Sequence, residues 1–174
     1  MADIPDCLTL KRNRDLSGLE KRPWTRRVLL SLVGLVLLAA LLNVFGQRPA
    51  TSKASVGDAS LSIYGPKRLR GGLIYQVRFH VVAHSELRDA RLVLDSDWAE
   101  GITINTLEPS PLGAASRDGS LSYDLGHIPA GESYILFMQA QVNPTTISRR
   151  TQTAELWDGN RHLLTIDRPF TVWP

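Results

Sequence analysis

Val28 to Phe45 is a run of 18 residues without one ionisable side chain, and it divides the chain into parts that must satisfy different solvents. That length reaches the threshold for a membrane-crossing helix and exceeds the apolar core of about 7 to 15 residues found in a signal peptide. At about 1.5 Å per residue the helix is roughly 27 Å long, against about 30 Å of hydrocarbon. Its eight leucines, four valines and one phenylalanine outweigh Ser31, Gly34 and Asn43, so insertion is favourable. Trp24 is placed for one headgroup layer, and Arg26, Arg27 and Arg48 can snorkel from the two ends.

Orientation follows from the flanks. Lys21, Arg22, Arg26 and Arg27 crowd the N-terminal side, and only Arg48 and Lys53 follow closely on the other. The positive-inside rule then puts the tail, residues 1–27, in the cytoplasm and everything after 45 in the periplasm or outside the cell, with the helix in the cytoplasmic membrane. A cleaved signal peptide is the competing reading, with Ser52-Lys53-Ala54 as the processing site; it demands an n-region of 27 residues, and the retained anchor is favoured. Cys7 precedes the apolar run, so it is no lipoprotein acylation site, and as the single cysteine it leaves the exported part without an intrachain disulfide.

Residues 1–27 hold seven Lys/Arg against four Asp/Glu, and residues 46–174 hold thirteen of each. The net charge of +3 therefore belongs to the tail. A neutral exported part whose one basic cluster is Lys67-Arg68-Arg70, in a turn, has no nucleic-acid footprint. Residues 46–58, rich in Gly, Pro, Ser and Ala, read as a flexible linker.

From residue 59 to 174 the pattern has period two. Leu73, Tyr75, Val77, Phe79 and Val81 alternate with Gln76, Arg78 and His80; Leu121, Tyr123 and Leu125 alternate with serines and Asp124; Tyr134, Leu136, Met138 and Ala140 alternate with Gln139 and Gln141. Further strands are expected at 59–64, 87–95, 102–107, 152–157 and 161–172. Between them lie turn formers, of which Asp158-Gly159 is the clearest hairpin signal. Seven or eight short strands without helix predict an all-β fold, an immunoglobulin-like antiparallel β-sandwich behind one transmembrane α-helix, with a closed barrel as the rival. Pro169 requires the last strand to lie at an edge or to break.

The segment LGHIPAGESYILFMQAQVNPT, Leu125–Thr145, resembles the late-strand motif of bacterial and archaeal immunoglobulin-like surface modules, the group containing CARDB-type and DUF11-type domains. Gly126, Ile128, Gly131 and Glu132 occupy the turn positions of that motif. The resemblance implies an adhesive or scaffolding sandwich with no catalytic set to carry over. A second likeness, resting on Arg22-Pro23-Trp24 and on the tail–helix–domain layout, is to small FixH-type accessory proteins of respiratory oxidase assembly.

Chemistry-bearing constellations are sparse. His80 and His84 on a strand lie roughly 13 Å apart, too far to share one ion without His127 or His162. With Met138 the only sulfur ligand beyond the helix, a soft copper site lacks its donors. Asp95, Asp97 and Glu100 around Trp98 match no EF-hand spacing, no Gly-x-Ser-x-Gly elbow occurs, and Gly71-Gly72 precedes a strand, not a phosphate-binding helix. No catalysis, cofactor or metal is expected, nor a small-molecule substrate. Trp98, Trp157, Phe170 and Trp173 are the candidate partner contacts, because aromatic side chains dominate binding hot spots. The expected role is therefore a membrane-anchored scaffold or accessory subunit that touches lipid through residues 28–45 and another membrane or envelope protein through its sandwich, with a FixH-like assembly factor as the alternative.

Overall fold

The computed structural model describes residues 22–42, 44 and 47–174; Lys21, Cys7 and most of the basic tail lie outside them. The chain forms two units, divided between Val44 and Phe45.

The first unit is helix α1, Arg22–Leu41. It starts before the charge-free run because Pro23 falls in the first turn, where a missing N–H breaks no helical bond. Trp24 to Leu41 is an apolar stretch of 18 residues, none of it buried.

The second unit is a two-layer sandwich of eleven strands: β1 (Pro49–Ser55), β2 (Ala59–Pro66), β3 (Arg68–Arg70), β4 (Ile74–Ala83), β5 (Leu87–Leu94), β6 (Ile102–Glu108), β7 (Gly113–Arg117), β8 (Ser120–Ile128), β9 (Ser133–Val142), β10 (Ser148–Asp158) and β11 (Arg161–Trp173). One sheet has the order β1-β2-β4-β9-β6 and the other β3-β11-β10-β5-β8-β7. The fold is the immunoglobulin-like sandwich that the alternation predicts, with more strands than the seven or eight expected. All pairings are antiparallel except β3 with β11.

The linker reading of residues 46–58 needs correction. Pro49–Ser55 is strand β1, paired with β2 over seven residues from Pro49↔Pro66 to Ser55↔Ser60. Its half-buried positions are held by alanines and serines, because an edge strand covers the rim of a core and needs few large apolar side chains.

Inward-facing residues of both sheets form one core, including Leu61, Ile63, Val77, Phe79, Leu92, Leu94, Leu136, Met138, Leu156 and Ile166. A short 3-10 turn, Ser96–Trp98, drops the Trp98 indole into this core, where its ring lies 5.2 Å from Phe79 and Nε1 donates to the Thr153 carbonyl at 2.9 Å. The acidic segment around Trp98 thus has a structural use. Asp95 Oδ2 accepts from Thr153 N at 3.0 Å, and Asp97 and Glu100 pair with Arg150 at 3.9 and 3.5 Å. Burial raises the Asp95 pKa above the usual carboxylate range, with like charge from Asp97 adding to it.

Arg168 is the one cation among the fully buried side chains of the described residues. Period two dictates this, since Ile166, Arg168, Phe170 and Val172 share the inner face of β11. Its Nη2 donates to the carbonyls of Gly65 and Pro66 at 3.2 and 2.7 Å, and the guanidinium lies 5.5 Å from the Trp98 ring centroid. Burial lowers its pKa to about 10, opposed by Tyr75, and it stays cationic at neutral pH. Burial likewise pushes the Tyr75 phenol upward. Among the described residues, Arg168 Nε and Nη1, the Tyr75 hydroxyl and Gln152 Oε1 have no hydrogen-bond partner. The constraint at Pro169 is met next door. β3 begins opposite Thr171, so no neighbouring strand requires the donor that Pro169 lacks.

Removing Arg168 tests this arrangement. Arg168→Ala leaves a cavity, removes the guanidinium donor from the Gly65 and Pro66 carbonyls and is expected to destabilise by about 3–5 kcal/mol. Arg168→Met fills the space, sheds the buried charge and costs about 1–2 kcal/mol for the carbonyls alone. Urea unfolding of the full chain in detergent measures both, and equal losses would show that the volume does not matter.

Candidate partner-binding face

The β10–β11 hairpin closes at Asp158–Gly159, where Gly159 adopts φ 58° and Asp158 Oδ1 accepts N–H bonds from Arg88 and Asp89 at 2.9 and 3.0 Å. One residue before that turn the β10–β11 register shifts between Leu156 and Trp157. The unpaired residue is Leu163 of β11, so His162 comes opposite Trp157 while β10 keeps its alternation. Trp157 is left half-buried on the outer face of the six-stranded sheet.

Trp157 is fixed there from two sides. Its Nε1 donates to Glu155 Oε2 at 2.8 Å, and the His162 ring stands edge-on to it at 4.9 Å. Opposite lies Arg91, whose Nη2 pairs with Asp89 at 3.1 Å with both side chains more than a third exposed. Val93, Ser122 and Ala115 sit in register across β5, β8 and β7 and make a low floor, because their side chains are small. The result is an open depression of about 460 Å³ walled by Trp157, Arg91 and Arg117. It offers a rigid aromatic wall, two guanidinium groups and hydroxyl donors. The hydroxyls of Ser120 and Ser122 also line it.

The other expected contacts separate. Trp98 and Phe170 are wholly buried and are withdrawn as partner contacts. Trp98 is carried inward by the 3-10 turn, and Phe170 shares the inward phase of β11 and packs 6.1 Å from Tyr75. Trp173 is 40 % exposed but lies at the opposite end of β11 from the hairpin turn, so it and Trp157 do not form one surface. Of the orientation residues, Arg22, Trp24, Arg26 and Arg27 belong to α1, while Lys21 falls outside the described part.

The histidines are dispersed. His80 faces outward on β4, beside a second shallow depression with Lys53, Ser62 and His84; His127 pairs with Glu86 at 3.1 Å; His162 contacts Thr165 Oγ1 at 2.8 Å. Among the described residues no group of three or more His, Cys, Asp or Glu is arranged to hold a metal. Sequence reasoning missed Arg91, Arg117 and the small-residue floor, because only the cross-strand register brings β5, β7, β8 and β10 side by side.

No family model matches the chain, and no curated protein matches it. Similar solved structures include AvmM, which catalyses macrocyclization in alchivemycin A biosynthesis, at 9% identity over 74% of this chain and 90% of that one, with a TM-score of 0.45. The CARDB domain of a Pyrococcus furiosus protein is 14% identical over 68% of this chain and 97% of that chain, TM-score 0.37. A FixG-related protein from Vibrio parahaemolyticus is 13% identical over 68% of this chain and 100% of that chain, TM-score 0.38. Likenesses this distant carry nothing about activity, which must be read from the residues of the face itself.

Because Trp157 is half-exposed and held by surface contacts, Trp157→Ala is expected to leave the unfolding midpoint within about 1 kcal/mol of the parent. It should weaken partner binding by about 2 kcal/mol or more, close to thirtyfold, as truncated aromatic hot spots do. Calorimetric unfolding and a titration against the co-purified partner separate the two effects.

Proposed function

We propose that the protein is a single-pass, non-catalytic membrane protein whose exported sandwich binds another envelope or membrane protein, as a scaffold or accessory subunit. The observation that carries this reading is the face built around Trp157: a braced aromatic beside two arginines and a floor of small side chains has the character of a protein-contact surface. Its flat, open shape suits a macromolecule better than a small molecule, which prefers an enclosed pocket. The length and apolarity of α1 support an anchor, and Arg22, Arg26 and Arg27, with Lys21 ahead of them, support a cytoplasmic N-terminus and an exported C-terminal domain.

The first experiment is purification of the full chain from its native membrane in mild detergent, with intact-mass measurement and identification of co-purifying proteins. A mass beginning at Met1 or Ala2, with a stoichiometric partner lost on Trp157→Ala, is the expected result. A chain beginning near Ser55 would lack most of β1 and would refute the anchor. Oxidase subunits as the partner would make the role that of a respiratory assembly factor.

A further inference from the structure

Replacing the expected linker by strand β1 fixes where the chain enters the sandwich. β1 runs antiparallel to β2 with Pro49 opposite Pro66. β2 continues through Lys67 into β3, which runs beside Thr171–Trp173 at the end of β11. Traced backward from Pro49, the chain therefore leaves toward the end of the sandwich that carries Trp173. The turns at that end are stitched together, Gly71 N donating to the Trp173 carbonyl at 3.1 Å and Gly72 N to the Val142 carbonyl at 3.0 Å.

This end is unusually apolar for a surface. Leu73, Ile74, Ile147 and Trp173 are 39, 54, 68 and 40 % exposed. A basic collar surrounds them: Arg68, Arg70 and Arg149 are exposed and Lys67 is partly so, and none of the four enters an ion pair among the described residues. The nearby acids Asp97 and Glu100 are both engaged by Arg150. Asp58, Glu86 and Glu132 lie at the other end together with the exposed Arg88 and Arg161, of which Arg161 pairs with Asp58 at 2.9 Å. The pole where the chain enters thus combines aromatic and aliphatic side chains with an excess of basic groups outside any ion pair among the described residues. That combination is the one found where proteins meet the bilayer interface.

We propose that this end of the sandwich rests on the membrane that α1 crosses, with Leu73, Ile74, Ile147 and Trp173 among the headgroups and the arginine collar against anionic phospholipid phosphates. The proposal rests on the anchor reading of α1, and the test separates the two. In a Cys7→Ser background of the full chain, single nitroxide labels are placed at Leu35→Cys in the helix, Ile147→Cys at the basic end and Asn160→Cys at the opposite hairpin tip. The chain is reconstituted in phosphatidylcholine vesicles with and without phosphatidylglycerol, and collision with oxygen is compared with collision with a water-soluble nickel chelate.

The label at 35 should report hydrocarbon and that at 160 water. The label at 147 should report the interface, with severalfold less nickel access than at 160. Omitting phosphatidylglycerol, or introducing Arg68→Gln with Arg70→Gln, should raise nickel access at 147, because each arginine near an anionic surface is worth roughly a fivefold shift in the docked population. Labels at 147 and 160 that are equally aqueous while 35 stays in lipid would overturn the docking and leave the anchor standing. An aqueous label at 35 would overturn both. Interfacial placement of 147 that ignores phosphatidylglycerol would overturn the headgroup preference. All three labelled positions are on exposed side chains, and circular dichroism of each labelled chain verifies the fold.

Discussion

The guanidinium of Arg168 sits where the chain passes from one sheet to the other. β2 belongs to the five-stranded layer and β3 to the six-stranded one, and between them only Lys67 intervenes. The carbonyls of Gly65 and Pro66 at this crossing both accept from the Arg168 guanidinium and lose a buried donor without it. A neutral side chain of similar length reaches the site but donates nothing. The charge is tolerated because Trp98 presents its ring to it, and Trp98 is present because the acidic segment folds over the end of the barrel-like interior and locks onto β10. One buried cation thus couples the layer crossing, the 3-10 turn and the last two strands.

Much of this was legible from alternation alone. The central strands β4, β8 and β9 carry large apolar residues at every second position, so their inner faces could be named residue by residue. The inward phase of Arg168 follows from the same rule applied to Ile166, Phe170 and Val172. Gly131, a turn position of the late-strand motif, has φ 84°, a conformation closed to larger residues. Edge strands were not legible for a physical reason. PATSKAS and GAASR, in β1 and β7, bury little, so selection for burial leaves little imprint on their sequences, and turn-forming composition dominates. Trp98 was misread because its neighbours Asp95, Asp97 and Glu100 signal solvent, whereas their carboxylates serve backbone and Arg150 instead.

The Trp157 face shows a similar split. Alternation after the inward Leu156 puts Trp157 on the outer face, but the bulge at Leu163 that brings His162 against it is a matter of pairing and not of pattern. Nor does the primary structure juxtapose Arg91, Ala115, Ser122 and Trp157, which are contributed by four strands. Long-range register is where single-sequence reasoning loses its footing, because every pairing decision moves whole rows of side chains.

The position of β1 also decides how the domain bears load. A pull on Pro49 along the axis of β1 runs parallel to β2. The seven paired residues of that ladder then resist together, in shear, instead of opening one at a time as they would if the chain entered from the side. The first strand is consequently a mechanical clamp as well as a sheet edge, and its hold against such a pull is that of a whole ladder, not of its first hydrogen bond.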